Sequence, residues 1–216
     1  MEISEIVSYS LFAFTSFIAL INPLGTVPVF VSMSSELSNN LKRKMAFRAT
    51  LTAFIALSIF AFAGQLLFNF FGISVNGFRI AGGIIFFVMG YEMLNARVSQ
   101  IKYDDKDVET KVDDFAITPL GIPMIAGPGS ITNAIVLMDD AHTIYHKIAL
   151  PIAIFLVLLI TFIALVASTR IVKWMGPTGN KIMLKLMGLI VMVVAVEFFF
   201  KGLKPIIQDI LMIQAL

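Results

Sequence analysis

Two short segments carry residue types able to bind a small polar solute inside an otherwise apolar chain. Asn22, Pro23, Leu24, Gly25 and Thr26 form the first, which runs on to Pro28; Gly127, Pro128, Gly129, Ser130, Thr132 and Asn133 form the second. Proline lacks a backbone donor and clashes with the preceding helical turn, while glycine admits non-helical dihedrals. Each segment is therefore expected to end one half-helix and start another. At each restart the first N–H groups have no intrahelical partner and sit at the positive end of the helix dipole, which suits a carboxylate. Thr26 and Ser130 stand where N-caps are preferred. Carbonyls left unpaired by the prolines can accept from an ammonium group, and the side chains of Asn22, Thr132 and Asn133 offer both donor and acceptor. Gly25, Gly127 and Gly129 let backbone approach a ligand closely and leave little room for its side chain. The chemistry expected is recognition of a small zwitterion, against the plainer alternative of two proline kinks packed between helices with nothing bound.

The elements that must position these segments lie in a membrane. The chain is 58% hydrophobic and 14% charged, with a mean hydropathy of +0.92, far from the composition of soluble domains. Six apolar runs long enough to span a bilayer are predicted, at residues 10–33, 45–71, 78–95, 115–138, 148–171 and 183–200. The first and fourth contain the two breaks. Freed backbone groups cannot face hydrocarbon, so broken helices must line a polar cavity or meet protein partners. Glu2 and Glu5 precede the first span with no basic stretch, so that span is not expected to be a cleaved signal. The absence of cysteine excludes disulfide exchange, Cys-ligated zinc and iron–sulfur chemistry.

Twelve of the sixteen basic residues fall in one set of connecting segments: Lys42, Arg43, Lys44, Arg48, Arg97, Lys102, Lys106, Lys111, Arg170, Lys173, Lys181 and Lys185. Arg79, Lys147, Lys201 and Lys204 fall in the other. The imbalance places the first set in the cytoplasm and both termini outside. With a fixed offset of 105 residues, Pro23 falls on Pro128, Val31 on Val136, Met33 on Met138, Lys42 on Lys147, Gly83 on Gly188 and Glu92 on Glu197. The reading is an all-α polytopic membrane protein of two three-helix repeats, about 1–95 and 115–216. A charged, solvated linker at 96–114 joins them within a single membrane domain. Three spans per repeat is an odd number, so the second copy enters the membrane inverted, about a pseudo-two-fold axis in its plane.

The stretch from Asn22 to Phe30, the stretches Pro119 to Pro123 and Gly127 to Ile131, and Ala81, Gly82 and Gly83 in the third span resemble the MarC family over essentially the whole chain. Within it the similarity is to the archaeal small neutral amino acid transporters. The resemblance implies a six-span secondary transporter in a prokaryotic cytoplasmic membrane. Its substrates would be glycine, alanine and similar amino acids, and a proton gradient would drive it. It implies no cofactor and no nucleic-acid partner.

Glu92 and Glu197 are the acids well inside the third and sixth spans, which makes them proton-coupling candidates. Both lie towards span ends, so interfacial ion pairs, Glu197 with Lys201 and Glu92 near Arg97, are the preferred reading. Arg79 and Lys185 read as interface anchors. Ala81, Gly82, Gly83 and Gly90 read as a packing surface, and secondarily as a sliding one. Asp139, Asp140, His142 and His146 have metal-ligand types, but a solvated helix end is the better reading and no metal is expected. The chain contains no GxxxxGK[ST], GxSxG or HExxH motif, so no ATPase motor or hydrolase is expected. Residues 203–216, with Lys204, Gln208 and Asp209, could form a short interfacial helix. The rivals to active transport are a passive channel or export facilitator for another small polar solute, and a membrane enzyme or scaffold.

Overall fold

The computed structural model describes residues 3–95 and 108–213, and these are helical with short connections. The elements are α1 (Ile3–Ile21), α2 (Pro23–Met33), α3 (Asn39–Phe71), α4 (Val75–Leu94), α5 (Val108–Phe115), a π-helical segment at Ala116–Ile125 interrupted at Thr118 and Ile122, α6 (Pro128–Asp139) and α7 (Ile144–Ile213). Among the described residues, five stretches are long and apolar enough to cross a membrane: Ser4–Met33, Asn39–Phe71, Val75–Leu94, Ile144–Ser168 and Lys181–Leu211. A sixth exists if the bent pair Thr110–Ile125 and Pro128–Asp139 counts as one span.

The helix ends follow from local chemistry. The Ser38 hydroxyl accepts from Leu41 N–H to start α3, and Gly72, at φ 63°, ends it in the left-handed region that glycine adopts without cost. Ser74 caps α4 by accepting from Gly77 N–H at 2.9 Å. α3 starts before its apolar run because Lys42, Arg43 and Lys44 are good helix formers that extend the rod past the hydrocarbon. α7 is interrupted at Gly176, whose φ 69° and ψ 176° are a conformation nearly confined to glycine. Its two limbs are the spans Ile144–Ser168 and Lys181–Leu211.

Two sequence expectations change here. Residues 96–107 of the proposed linker lie outside the described residues, but 108–114 are helical and belong to α5. Asp113 on α5 faces Lys44 at 3.8 Å and Arg48 at 3.5 Å on α3, so opposite charge holds this helix to the basic end of α3. The C-terminal residues are not a separate interfacial helix either. Within the described residues, 203–213 continue the second limb of α7 without interruption.

Along α3 small residues turn inward and several large ones outward, although Met45, Leu57 and Phe68 are buried too. α3 buries Ala46, Ala49, Ala53, Ala61 and Gly64, and exposes Phe62, Leu66 and Phe70. Lipid is as apolar as a side chain, so large residues gain nothing by turning inward, while small ones let helices approach and gain dispersion contacts. The first limb of α7 lies against α3 through the edge-on ring pairs Phe54–Phe155 and Phe47–Phe162. α4 runs antiparallel to the second limb along a seam of small residues. A Cβ added at Gly83 would lie 2.8 Å from the Ala195 carbonyl oxygen and 3.0 Å from Phe199 N. One added at Gly188 would lie 2.8 Å from the Gly90 oxygen and 2.7 Å from Leu94 N. These two sets of contacts are the same set after the 105-residue offset is applied to both partners.

Candidate functional site

The first break is a single residue. Asn22 has φ 47° and ψ 71°, a left-handed conformation that asparagine tolerates better than most residues, and α2 starts immediately at Pro23. The Asn22 side chain accepts from Gly25 N–H at 3.2 Å, and the Asn22 carbonyl accepts from the same amide at 2.9 Å. Asn22 is therefore the N-cap of α2, and Thr26 is not. Thr26 sits in the first turn, its hydroxyl donating to Pro23 O at 2.8 Å. Proline at the first helical position loses nothing at the start of α2, since its N–H would be an orphan there. The cost falls on α1. Pro23 offers no donor to the Ala19 carbonyl, and the Gly25 amide turns to Asn22 rather than to Ile21.

The second break is longer. Thr118 and Ile122 are extended (φ −133°, ψ 122° and φ −132°, ψ 127°), and each precedes a proline, which disfavours the helical region for the residue before it. The peptide bonds to Pro119 and Pro123 are both cis. Regular helix returns only at Pro128, with a 61° bend between Thr110–Ile125 and Pro128–Asp139. The N-cap of α6 is Gly127, not Ser130, and no side chain caps it. Ser130 lies in the first turn, its hydroxyl 3.5 Å from Ile125 O, at the limit of a hydrogen bond. The first bond into α6 is Ile131 N–H to Gly127 O at 2.9 Å, which leaves the Gly129 and Ser130 amides without an intrahelical acceptor.

Both breaks open onto one cavity of about 330 Å³. Ala19, Leu20, Ile21 and Asn22 at the end of α1, with Gly25 and Thr26 of α2, form one wall. Gly127, Gly129 and Ser130, with Met124 before them, form another. Phe86, Met89 and Met93 of α4 and a stripe of the second limb from Met187 to Lys201 close it. Residues at the negative end of α1 thus share the cavity with residues at the positive end of α6. Six of the lining residues from the N-terminal half fall on six from the C-terminal half under the 105-residue offset: Ala19 on Met124, Asn22 on Gly127, Gly25 on Ser130, Phe86 on Val191, Met89 on Val194 and Met93 on Phe198. The cavity is not symmetric throughout. Met187, Ile190, Val193 and Glu197 line it, whereas their counterparts Gly82, Ile85, Val88 and Glu92 do not.

Of the residues singled out in the sequence, Asn22, Gly25, Thr26, Gly127, Gly129 and Ser130 line the cavity; Pro23, Leu24, Pro128, Thr132 and Asn133 do not. Leu24 is 69% exposed. Pro128 packs where any Cβ at Gly82 would fall. The Thr132 hydroxyl is buried without a hydrogen-bond partner, and the Asn133 amide donates to Ser16 Oγ at 3.0 Å, tying α6 to α1. Glu197 and Lys201 both face the cavity one turn apart but do not form an ion pair, contrary to the pairing expected from their spacing. Glu92 is exposed outside the cavity, and Arg97 lies outside the described residues. His146 lies under the Tyr9 ring, centroids 4.5 Å apart, while His142 is exposed. Among the described residues no three acidic or histidine side chains gather as a metal site.

The aromatic and thioether lining, Phe86, Met89, Met93, Met124 and Phe198, was not legible as such, because these residues sit among equally apolar neighbours. A signal did exist: Gly82, Phe86, Met89 and Met93 repeat at helical spacing one position away from the Gly83–Gly90 seam.

Helical spans, two breaks within them and a partly polar cavity between the broken ends are the architecture of a multi-pass integral membrane protein with an internal cavity. A family model described as MarC family integral membrane protein matches residues 7–207, and the chain belongs to that family. A UPF0056 membrane protein of Pyrococcus horikoshii is 36% identical over 93% of this chain and 96% of its own. One of Aquifex aeolicus is 34% identical over 91% and 92%, and YvbG of Bacillus subtilis is 36% identical over 91% and 95%. These names state membrane proteins and no substrate. No solved structure matches the chain.

Proposed function

We propose that this protein is a secondary active transporter of small neutral amino acids, glycine, alanine and serine, coupled to protons and working by alternating access. The observation that carries this reading is that the C-terminal end of α1 and the N-terminal end of α6, both with backbone groups lacking an intrahelical partner, line one cavity. A zwitterion matches that pair of helix ends: its carboxylate accepts from the Gly129 and Ser130 amides, and its ammonium donates to the carbonyls of Ala19 and Ile21. Asn22, Thr26 and Ser130 add neutral hydrogen-bonding groups, which favours a solute without net charge.

The inverted repeat is part of the proposal. It is supported by the seam contacts that map onto themselves under the offset and by the six paired lining positions. Exchanging the conformations of the two repeats would withdraw Val193 and Glu197 and admit Val88 and Glu92. Glu197 is then the coupling candidate of one state and Glu92 of the other.

The test is counterflow in liposomes: protein loaded with unlabelled glycine should draw in labelled glycine, and external alanine or serine should suppress it. Failure of all three to exchange through folded protein removes the reading. The channel alternative is separated by a protonophore, which abolishes accumulation by a coupled transporter and leaves downhill flux through a channel unchanged.

A further inference from the structure

A cavity of about 330 Å³ lies within the range of pockets, about 300–1,000 Å³, that hold drug-sized ligands. Volume alone therefore does not restrict the site to glycine or alanine. A size limit, if there is one, must be imposed locally, beside the groups that fix the ligand. The residue in that position is Phe198. Its ring points end-on at Gly129, so that a Cβ added at Gly129 would lie 3.0 Å from both Cε1 and Cε2, with Cζ nearer still. Gly129 carries one of the two α6 amides left without an intrahelical acceptor.

We infer that Phe198 is a specificity-determining residue, its ring filling the space beside the α6 amides into which the side chain of a larger amino acid would project. The inference rests on the amino acid reading above and narrows it to one side chain. Gly129 and Phe198 act together: only a residue without Cβ lets the ring come this close, and the ring then leaves room for little more than a methyl or hydroxymethyl substituent. Phe86 meets Gly127 in a similar way, so that a Cβ there would lie 3.1 Å from its Cε1. Phe86, however, guards the cap residue rather than the free amides.

The test is the ratio of glycine to leucine as competitors of labelled glycine uptake, in wild type, Phe198→Ala, Phe198→Leu and Phe200→Ala. Phe200 lies next to the second limb's outer groove and not in the cavity, so its variant reports general loosening. The account expects Phe198→Ala to narrow the discrimination by at least about tenfold, the scale set by removing steric bulk from a pocket. Phe198→Leu should give a smaller change in the same direction, with glycine still carried, and Phe200→Ala should match wild type. Unchanged discrimination in a folded Phe198→Ala or Phe198→Leu protein overturns the inference, as does equal broadening in Phe200→Ala. Absence of glycine uptake by the wild type instead overturns the transport reading, and this inference with it.

Discussion

The two breaks are related by sequence offset, yet the structure resolves them in opposite ways. At the first, one left-handed asparagine interrupts the helix and satisfies the next amide with its own side chain and carbonyl, and α1 and α2 still read as one span, Ser4–Met33. At the second, two residues before prolines are forced extended, the span bends by 61°, and the glycine cap offers no side chain. The self-capped break leaves acceptors over, from α1. The open break leaves donors over, from α6. Two segments related by the offset thus form a complementary pair, and complementarity is what the proposed dipolar solute requires.

The comparison breaks most visibly at Gly129. Gly129→Val places a branched side chain on the Phe198 ring and over the free amides, and glycine binding should fall below detection while the protein still inserts. Equilibrium binding on purified protein checks this, and unchanged affinity would move the donor end elsewhere. The corresponding change at the self-capped break, Gly25→Val, collides with the Asn22 side chain, so it should act through loss of the cap and lower thermal stability as well.

The seam between α4 and the second limb sharpens the comparison differently, because there the contacts of the two halves are alike under the offset. Gly83→Ala and Gly188→Ala each force a methyl against backbone of the facing helix, at a cost of about 1–3 kcal/mol for overpacking. The expected result is two similar drops in unfolding temperature in detergent. A large drop in one variant and none in the other would argue that the seam is not built on the repeat. Asn22 offers a smaller effect. Asn22→Gly keeps the left-handed conformation and should cost a few tenths of a kcal/mol, while Asn22→Ala loses both the cap and the dihedral and should cost about 1 kcal/mol or more. Equal stability of the two would mean that Asn22 does not set the break.

Glu92→Gln is expected to have the narrowest effect, since the residue lies outside the cavity in this conformation. Uptake driven by a pH gradient should weaken while glycine exchange persists, because exchange needs the loaded site to move but needs no net proton release. Equal loss of both activities would make Glu92 a structural or gating residue. Full driven uptake would leave it an interfacial charge.

Much of this was readable in the sequence, for identifiable reasons. Proline and glycine act on their own backbone, so the helix restarts at Pro23 and Pro128 follow from local rules; the extended residues Thr118 and Ile122 obey the same chemistry, but the break read from the sequence did not reach back to them. The spans at 148–171 and 183–200 follow from hydropathy and reappear as the two limbs of α7. The caps were misplaced because a hydroxyl at Thr26 or Ser130 is a good cap in isolation, and nothing local shows that Asn22 adopts φ 47° and gets there first. Phe198 could not be told from Phe199 and Phe200 because adjacent residues on a helix differ only in which face they occupy. That depends on where α6 lies, a relation between residues some seventy positions apart.

The central claim is that this cavity moves a small zwitterion against its gradient. It is tested most directly by labelled glycine uptake into liposomes containing the purified protein, with the outside made acidic relative to the inside. The account predicts accumulation above the external concentration, abolished by a protonophore and by excess alanine but little affected by leucine. Glycine that never exceeds the external concentration, or that does not enter at all, would contradict it.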